Sequence, residues 1–321
     1  LLGGCTSTSV TEKYQDKRND IINVKDKVIE FETGNVLIGS VSRLYMSNKC
    51  LLIADHKSVD KQIHIFNKND FSYLTSIGNF GEGPEEITVM GCLAIDEAHH
   101  QLYVSDHAKQ KIFSYDMDSV MVDSLYKPQV KTAMNETLFP SEYQYINDTL
   151  SIAVLIKPTS TSTFNQFLGR WNMNTGEMIP MKYTHPDIQK KRITFAASEK
   201  AGIYVECYTR HDLMTICSLD GELLYNIYGP DWDGGNGNKL QSFGTVMIGN
   251  DKIFVSYCGE DYARDSFPTK ILVFDLEGNY LKTLETGYKI SDCCYDSFNN
   301  RIILSLNDVV QFAYLDIDGI I

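Results

Sequence analysis

Cys50-Leu-Leu-Ile-Ala-Asp55-His56 decides how this chain is read, because Gln101-Leu-Tyr-Val-Ser-Asp106-His107 repeats its pattern one module later. Each run ends in Asp-His and is followed by a second apolar run, Ile63-His-Ile-Phe66 or Ile112-Phe-Ser-Tyr115. Short runs rich in β-branched and aromatic residues, bounded by Asn, Asp, Gly and Lys, form strands. Two modules built alike in sequence point to a repeat architecture.

Outward from this pair, the strand-like segments come in groups of four. The first group is 41–46, 51–54, 62–66 and 73–77, and the second is 92–96, 102–105, 111–115 and 120–126. A third spans 143–181, a fourth 192–228 and a fifth 243–284, whereas the last, 290–317, offers three strands. Asn69, Asp118, Gly176, Gly221, Gly278 and Gly319 mark equivalent turns, and the interval from 69 to 319 divides into five steps of about 50 residues. That is the size of a four-stranded propeller blade. The expected fold is all-β, a six-bladed β-propeller with four-stranded antiparallel blades. Residues 27–32, Lys-Val-Ile-Glu-Phe-Glu, alternate like a strand and precede the first group, so they are expected to complete the sixth blade and close the ring.

Composition agrees. The 321 residues include 19 Tyr and 15 Phe, and no stretch of ten or more reads as an amphipathic helix. With 29 Lys plus Arg against 42 Asp plus Glu, the net charge of −13 repels phosphate backbones and anionic membranes, which argues against a nucleic-acid partner. No 18-residue apolar run is present to span a membrane. Between the first two groups, Gly78-Asn-Phe-Gly-Glu82-Gly-Pro-Glu-Glu-Ile87 places three glycines and a proline in seven residues, a joint between modules.

The paired modules and this joint resemble NHL-type and TolB-like six-bladed propellers. The joint is similar to the Gly-x-x-Gly-x-Gly-Pro-x-Glu element of propellers found as secreted lipoproteins of Gram-negative bacteria. Leu1-Leu-Gly-Gly-Cys5 in turn resembles the end of a lipoprotein signal peptide, with Cys5 as the lipidated residue. Residues 6–20 are polar and suit a tether. The expected organisation is therefore an anchor remnant and tether over residues 1–26 and a propeller over 27–321. The expected location is the cell envelope, periplasmic or surface-exposed, with the membrane reached only through the lipid.

In such a fold the loops joining blades and the turns between second and third strands open on one face, where ligands commonly sit. The candidate ligand-binding residues there are His56, Glu82, His107, Arg210, Asp231, Trp232, Asp233, Tyr262 and Arg264. Aromatic planes beside carboxylates and guanidinium groups suit a glycan, a peptide or an envelope protein, with Trp232 as stacking platform and Arg264 or Arg210 as charged contact. The opposite side has short turns, Asn48-Lys49, 97–100 and Asn299-Asn300, with little room for a pocket. An Asp ending a second strand also has a plain structural use, accepting amides of the turn that follows, which is the favoured role for Asp55 and Asp106. His56 and His107 are more simply solvent-facing or packing residues, since two His make half a metal site.

Sharper motifs are absent from the sequence: no nucleophile elbow, His-Glu-x-x-His, phosphate loop or Cys-x-x-Cys occurs. Asp231-Trp232-Asp233 could offer oxygens to Ca²⁺, but the calcium-loop pattern is missing, so no metal site and no cofactor are assigned. Of eight cysteines, Cys5 is the lipidation candidate and the other seven are expected as free thiols, although Cys207 and Cys217 flank one turn and could face each other. No catalytic residue stands out. A binding module is preferred, and the alternative is a divalent-cation-dependent hydrolase or lactonase of the six-bladed kind.

Overall fold

The computed structural model describes residues 10–237 and 239–321; Cys5 lies outside them. The chain is an all-β, six-bladed propeller of four-stranded antiparallel blades. Its described residues form two compact units, one within 10–24 and 182–287 and one of 25–181 and 288–321.

The larger unit holds blades 1, 2, 3 and 6. Blade 1 is Ser42–Met46, Cys50–Asp55, Lys61–Asn67 and Tyr73–Asn79, and blade 2 begins Met90–Asp96, Gln101–Asp106, Lys111–Asp116. The repeated run Cys50–Asp55 is buried at every position. A strand covered on both faces has no polar side to show, so its residues read as a continuous apolar run. Leu52, Ile63, Val104 and Phe113 interlock between blades 1 and 2, and each fully buried side chain of this size contributes about 1.5–3 kcal/mol. Blade 3 runs from Phe139–Asn147 to Met178–Pro180 and packs Trp171 edge-on to Tyr143.

Blade 6 is Ile290–Asp296, Arg301–Leu306 and Phe312–Asp316, and its fourth strand is Val28–Glu30, antiparallel with Tyr314 opposite Ile29. Residues before the first blade therefore finish the last one, as the unpartnered strand in the sequence required. The next residue, Phe31, stacks on Phe71 with ring centroids 3.9 Å apart. Buried Asp292 accepts the Leu44 amide at 2.8 Å, joining blade 6 to blade 1.

Blade 2 departs from expectation. Residues 120–126 are not its fourth strand; Met117–Val120 is one helical turn, and the strand is Gln129–Ala133. Asp116 caps that turn by accepting the Ser119 amide at 2.7 Å, the Asp-x-x-Ser start favoured by a short side-chain acceptor. Val120 and Tyr126 still pack inward, and Pro128, which has no N–H for a ladder, delays the strand until the residue after it.

The smaller unit holds blade 4, Ile193–Ser198, Ile203–Tyr208, Leu213–Ser218 and Leu223–Tyr228, and blade 5, Leu240–Ile248, Lys252–Asp261, Lys270–Asp275 and Tyr280–Glu285. Part of the stretch expected as a polar tether is ordered here. Glu12–Tyr14 runs parallel to the outer strand of blade 4 and Ile21–Asn23 parallel to that of blade 5, making both sheets five-stranded. An outer strand offers unpaired N–H and C=O groups, and a three-residue extended segment is enough to take them. Cys207 lies opposite Met214 and Cys217 opposite Tyr204, so the two cysteines do not face each other. None of the seven described cysteines forms a disulfide, and all are buried.

Candidate ligand-binding site

In the smaller unit, the segment entering blade 4, that blade's turn between its second and third strands, and the loop leaving it converge. Together they enclose a cavity of about 540 Å³. Its charged walls are Lys190, Arg192 and Arg210, and His211 and the backbone at Gly235–Gly237 complete it. Three cations around one hollow stand out in a chain of net charge −13.

The loop leaving blade 4 is shaped by Asp233 and two glycines. Asp233 accepts the amides of Gly235 and Gly237, and its backbone carbonyl accepts the Asn236 side-chain amide at 2.9 Å. Gly237 has φ +49°, and a Cβ there would fall 1.8 Å from His211 Cε1. Only glycine lets the loop close onto the imidazole. His211 is 7% exposed, and its Nδ1 has no hydrogen-bond partner, the nearest carboxylate oxygen being Asp233 Oδ1 at 3.6 Å. Burial pushes the His211 pKa down, with Asp233 opposing, so the ring is neutral near pH 7 and keeps a hydrogen-bonding nitrogen unspent.

Trp232 is half-buried, with ring centroids 4.9 Å from Tyr228, 5.6 Å from His185 and 6.0 Å from His211. Its ring braces the loop as well as offering an edge to solvent. His185 is fixed behind it: Nδ1 accepts the Asp187 amide at 3.2 Å, which leaves Nε2 to donate to the Tyr228 hydroxyl at 2.8 Å. Asp231 accepts from the Tyr257 hydroxyl at 3.3 Å, and its own amide donates to Asp212. With Asp233 holding loop amides, this Asp-Trp-Asp group is built as a turn, and its oxygens are not converged for a cation.

Arg210 lies over the ring of Tyr262, which is 47% exposed. Stacking holds the guanidinium flat while its edge stays available to an anion. Arg264 instead pairs with Glu260 at 3.0 Å, both side chains largely exposed, and is not part of the cavity wall. Exposed pairs of this kind contribute little. Six of the nine expected residues thus lie in the smaller unit, and the cavity adds Lys190 and Arg192, which the expected set lacks. The signal for them was present: 190–192 is the one run of three consecutive cations in the sequence.

The other three lie in the larger unit. His56 Nε2 donates to the Gly91 carbonyl at 3.1 Å, and a Cβ on Gly91 would fall 2.1 Å from His107 Nε2, so both rings pack around one glycine. His107 also meets Phe139 edge-on at 4.9 Å, and burial lowers its pKa. These are packing histidines. Glu82 sits exposed on the joint, which Lys109 fastens by donating to the carbonyls of Gly83 and Glu86, each at 2.5 Å.

At the opposite ends of the blade 1 and 2 strands, the short turns leave more space than their sequence suggests. A cavity of about 500 Å³ opens there, lined by the turns at Asn48-Lys49 and 96–101. The expectation of little room for a pocket on that side fails: Met117, Asp118 and Met121, in and just after the helical turn, line the hollow together with those turns. Nearby, Asp96, His99 and Asp148 bring ligand-type atoms within 4.8 Å of one another, with no ion present. Asp96 already accepts from His99 and from Tyr103, and Asp148 from Tyr145, which accounts for the grouping without a metal.

Comparisons with known proteins support the architecture. The DUF5128 family model, described as a 6-bladed beta-propeller, matches residues 7–166. A Bacteroides fragilis protein that carries the name of an exported protein shares 14% identity at a TM-score of 0.57, covering 92% of this chain and 87% of that one. A member of the duf4221 family from Bacteroides vulgatus shares 11% at 0.56, covering 89% and 93%. The Swd1 beta-propeller domain of a Myceliophthora thermophila protein shares 10% at 0.55, covering 89% and 98%. At such identities the likeness is one of fold. No curated protein matches the chain. Among the described residues, no helix is long and apolar enough to cross a membrane.

Proposed function

We propose that the chain is a non-catalytic binding module of the cell envelope that takes the acidic group of a glycan or peptide in the blade 4 pocket. The observation that carries this reading is the convergence of Lys190, Arg192 and Arg210 on one 540 Å³ hollow beside a buried imidazole with an unspent nitrogen. A carboxylate entering there meets three cationic side chains, and Arg forks match its two oxygens. Each charge-assisted hydrogen bond is worth about 1.5–3 kcal/mol. Trp232, whose ring lies 6.0 Å from that of His211, and Tyr262, beneath Arg210, supply flat apolar surface for a sugar ring or side chain.

Calorimetry with an oligogalacturonate, its methyl ester and an acidic peptide tests this. The acids bind and the ester does not, and Arg192→Ala or Arg210→Ala weakens binding about 10-fold or more while melting like the parent. Equal binding of acid and ester would remove the reading. Envelope anchoring rests on Leu1-Leu-Gly-Gly-Cys5, and fatty-acid labelling that persists in Cys5→Ala cells would count against it.

A further inference from the structure

The cavity at the other end of blades 1 and 2 is built differently from the cationic pocket, and nothing in the proposed function uses it. Its floor is Leu52, Leu102 and Cys50, all buried, and its mouth is flanked by Leu74 and Met121, 43% and 36% exposed. Large apolar side chains left at the mouth of a 500 Å³ hollow cost hydration that an apolar occupant removes, and the volume suits a small organic molecule. Met117 and Met121 line the side made by the helical turn, where unbranched thioethers adapt to varied shapes.

The rim has a sign. Glu97 and Asp118 stand on it with Lys49 and His100. Glu97 Oε1 accepts the Asn48 amide at 2.7 Å and Asp118 Oδ2 accepts His100 Nδ1 at 2.8 Å. The second oxygen of each carboxylate has no partner among the described residues. Two carboxylates thus share the rim with one lysine and one imidazole.

We infer that this cavity is a second binding site, for a small amphipathic amine whose apolar body fills the Leu52–Leu102 hollow and whose ammonium group is held by Glu97 and Asp118. The ammonium donates to the two unspent carboxylate oxygens, and Lys49 disfavours an anionic head of the same shape. The chain would thus carry two sites of opposite charge preference, one in each compact unit.

The test uses three probes of one shape: tryptamine, tryptophol and indole-3-propionate. Binding is followed by ligand-observed NMR on the full chain carrying Arg192→Ala and Arg210→Ala, so that the cationic pocket does not take the anion. Tryptamine is expected to bind at least 5-fold more tightly than indole-3-propionate, with tryptophol between them. Glu97→Gln with Asp118→Asn should bring the three to within 2-fold. Leu74→Trp, a change at a partly exposed position that fills the mouth, should weaken tryptamine 5-fold or more with the melting temperature retained. An anion bound as well as the amine, a preference untouched by the carboxylate changes, or tryptamine indifferent to Leu74→Trp would each overturn the inference.

Discussion

Blades 2 and 4 each bury a carboxylate completely at the turn between second and third strands, and they neutralise it by different means. Asp106 accepts four backbone amides, Thr88 at 2.8 Å, Val89 at 3.2 Å, Ala108 at 3.0 Å and Lys109 at 3.2 Å. Asp212 accepts the Asp231 amide at 3.1 Å and the Arg18 guanidinium at 2.6 Å, the latter from far earlier in the chain. Arg18 is itself buried among the rings of Phe243, Tyr257 and Phe274. A local loop satisfies one aspartate, and an ion pair that depends on the N-terminal segment satisfies the other. The first arrangement forms whenever its turn forms; the second requires residues 12–23 to be in place on blades 4 and 5.

The sharpest way to break this contrast is to remove Arg18. Arg18→Ala leaves Asp212 buried and unpaired and is expected to cost about 3–5 kcal/mol in denaturant unfolding, with Asp212→Asn in the same chain recovering part of it. Lys109→Ala, the cation nearest Asp106 at 3.9 Å, should cost clearly less, because the amides remain. Equal losses would mean that Asp106 too depends on its cation. Next in size, Asp106→Ala strands four amides and should cost about 2–3 kcal/mol, whereas Asp106→Asn, which keeps one acceptor oxygen, should cost less.

Acid offers a gentler probe. Burial lowers the pKa of His107 in blade 2 and of His185 and His211 in blade 4 below the ordinary 6.5. The unfolded chain then binds more protons than the folded one. The stabilisation these rings give is complete above the unfolded pKa and is lost as pH falls from about 6.5 toward the folded values, by at most about 1.4 kcal/mol per unit for each ring. Melting temperature should drop between pH 7 and 5, and His185→Gln, which keeps a donor for Tyr228, should shallow the drop; an unchanged slope would show that His185 is not among the groups responsible. The smallest effect concerns thiols. Burial pushes Cys92 up to about 11 and Cys217 up to about 12, so a thiol reagent at pH 8 should label the folded chain slowly in both blades and the denatured chain at once.

The same contrast explains what could be read in advance. The blade period, the closing strand and the capping role of Asp106 are set by neighbours in sequence, so alternation and turn residues reveal them. The helical turn at Met117 was hidden because Val120 to Tyr126 is apolar enough for a strand, and the deciding contact is one Asp116 cap. Glu12 to Asn23 read as tether because its two strands have three residues each and gain their partners from blades more than 200 residues later. The cationic pocket was half legible: Arg210 and the Asp231 to Asp233 stretch were visible, but Arg192 and Lys190 join them only through folding. The cavity beside Asn48 was illegible, since the helical turn that lines it with Met117, Asp118 and Met121 was itself hidden.

Pairing Glu30 with Ala313 also sets a timetable for synthesis. At about 5–20 residues per second, Val28–Glu30 leaves the ribosome tens of seconds before its partner strand exists. Blade 1 can dock only provisionally in that interval, and the nascent chain carries an orphan strand looking for an edge. The earliest edge to be finished on a crowded polysome belongs to another copy. Exchange of this strand between two chains, each completing the other's last blade, is therefore the misassembly the topology invites, and it would yield a dimer whose individual blades are indistinguishable from the monomer's.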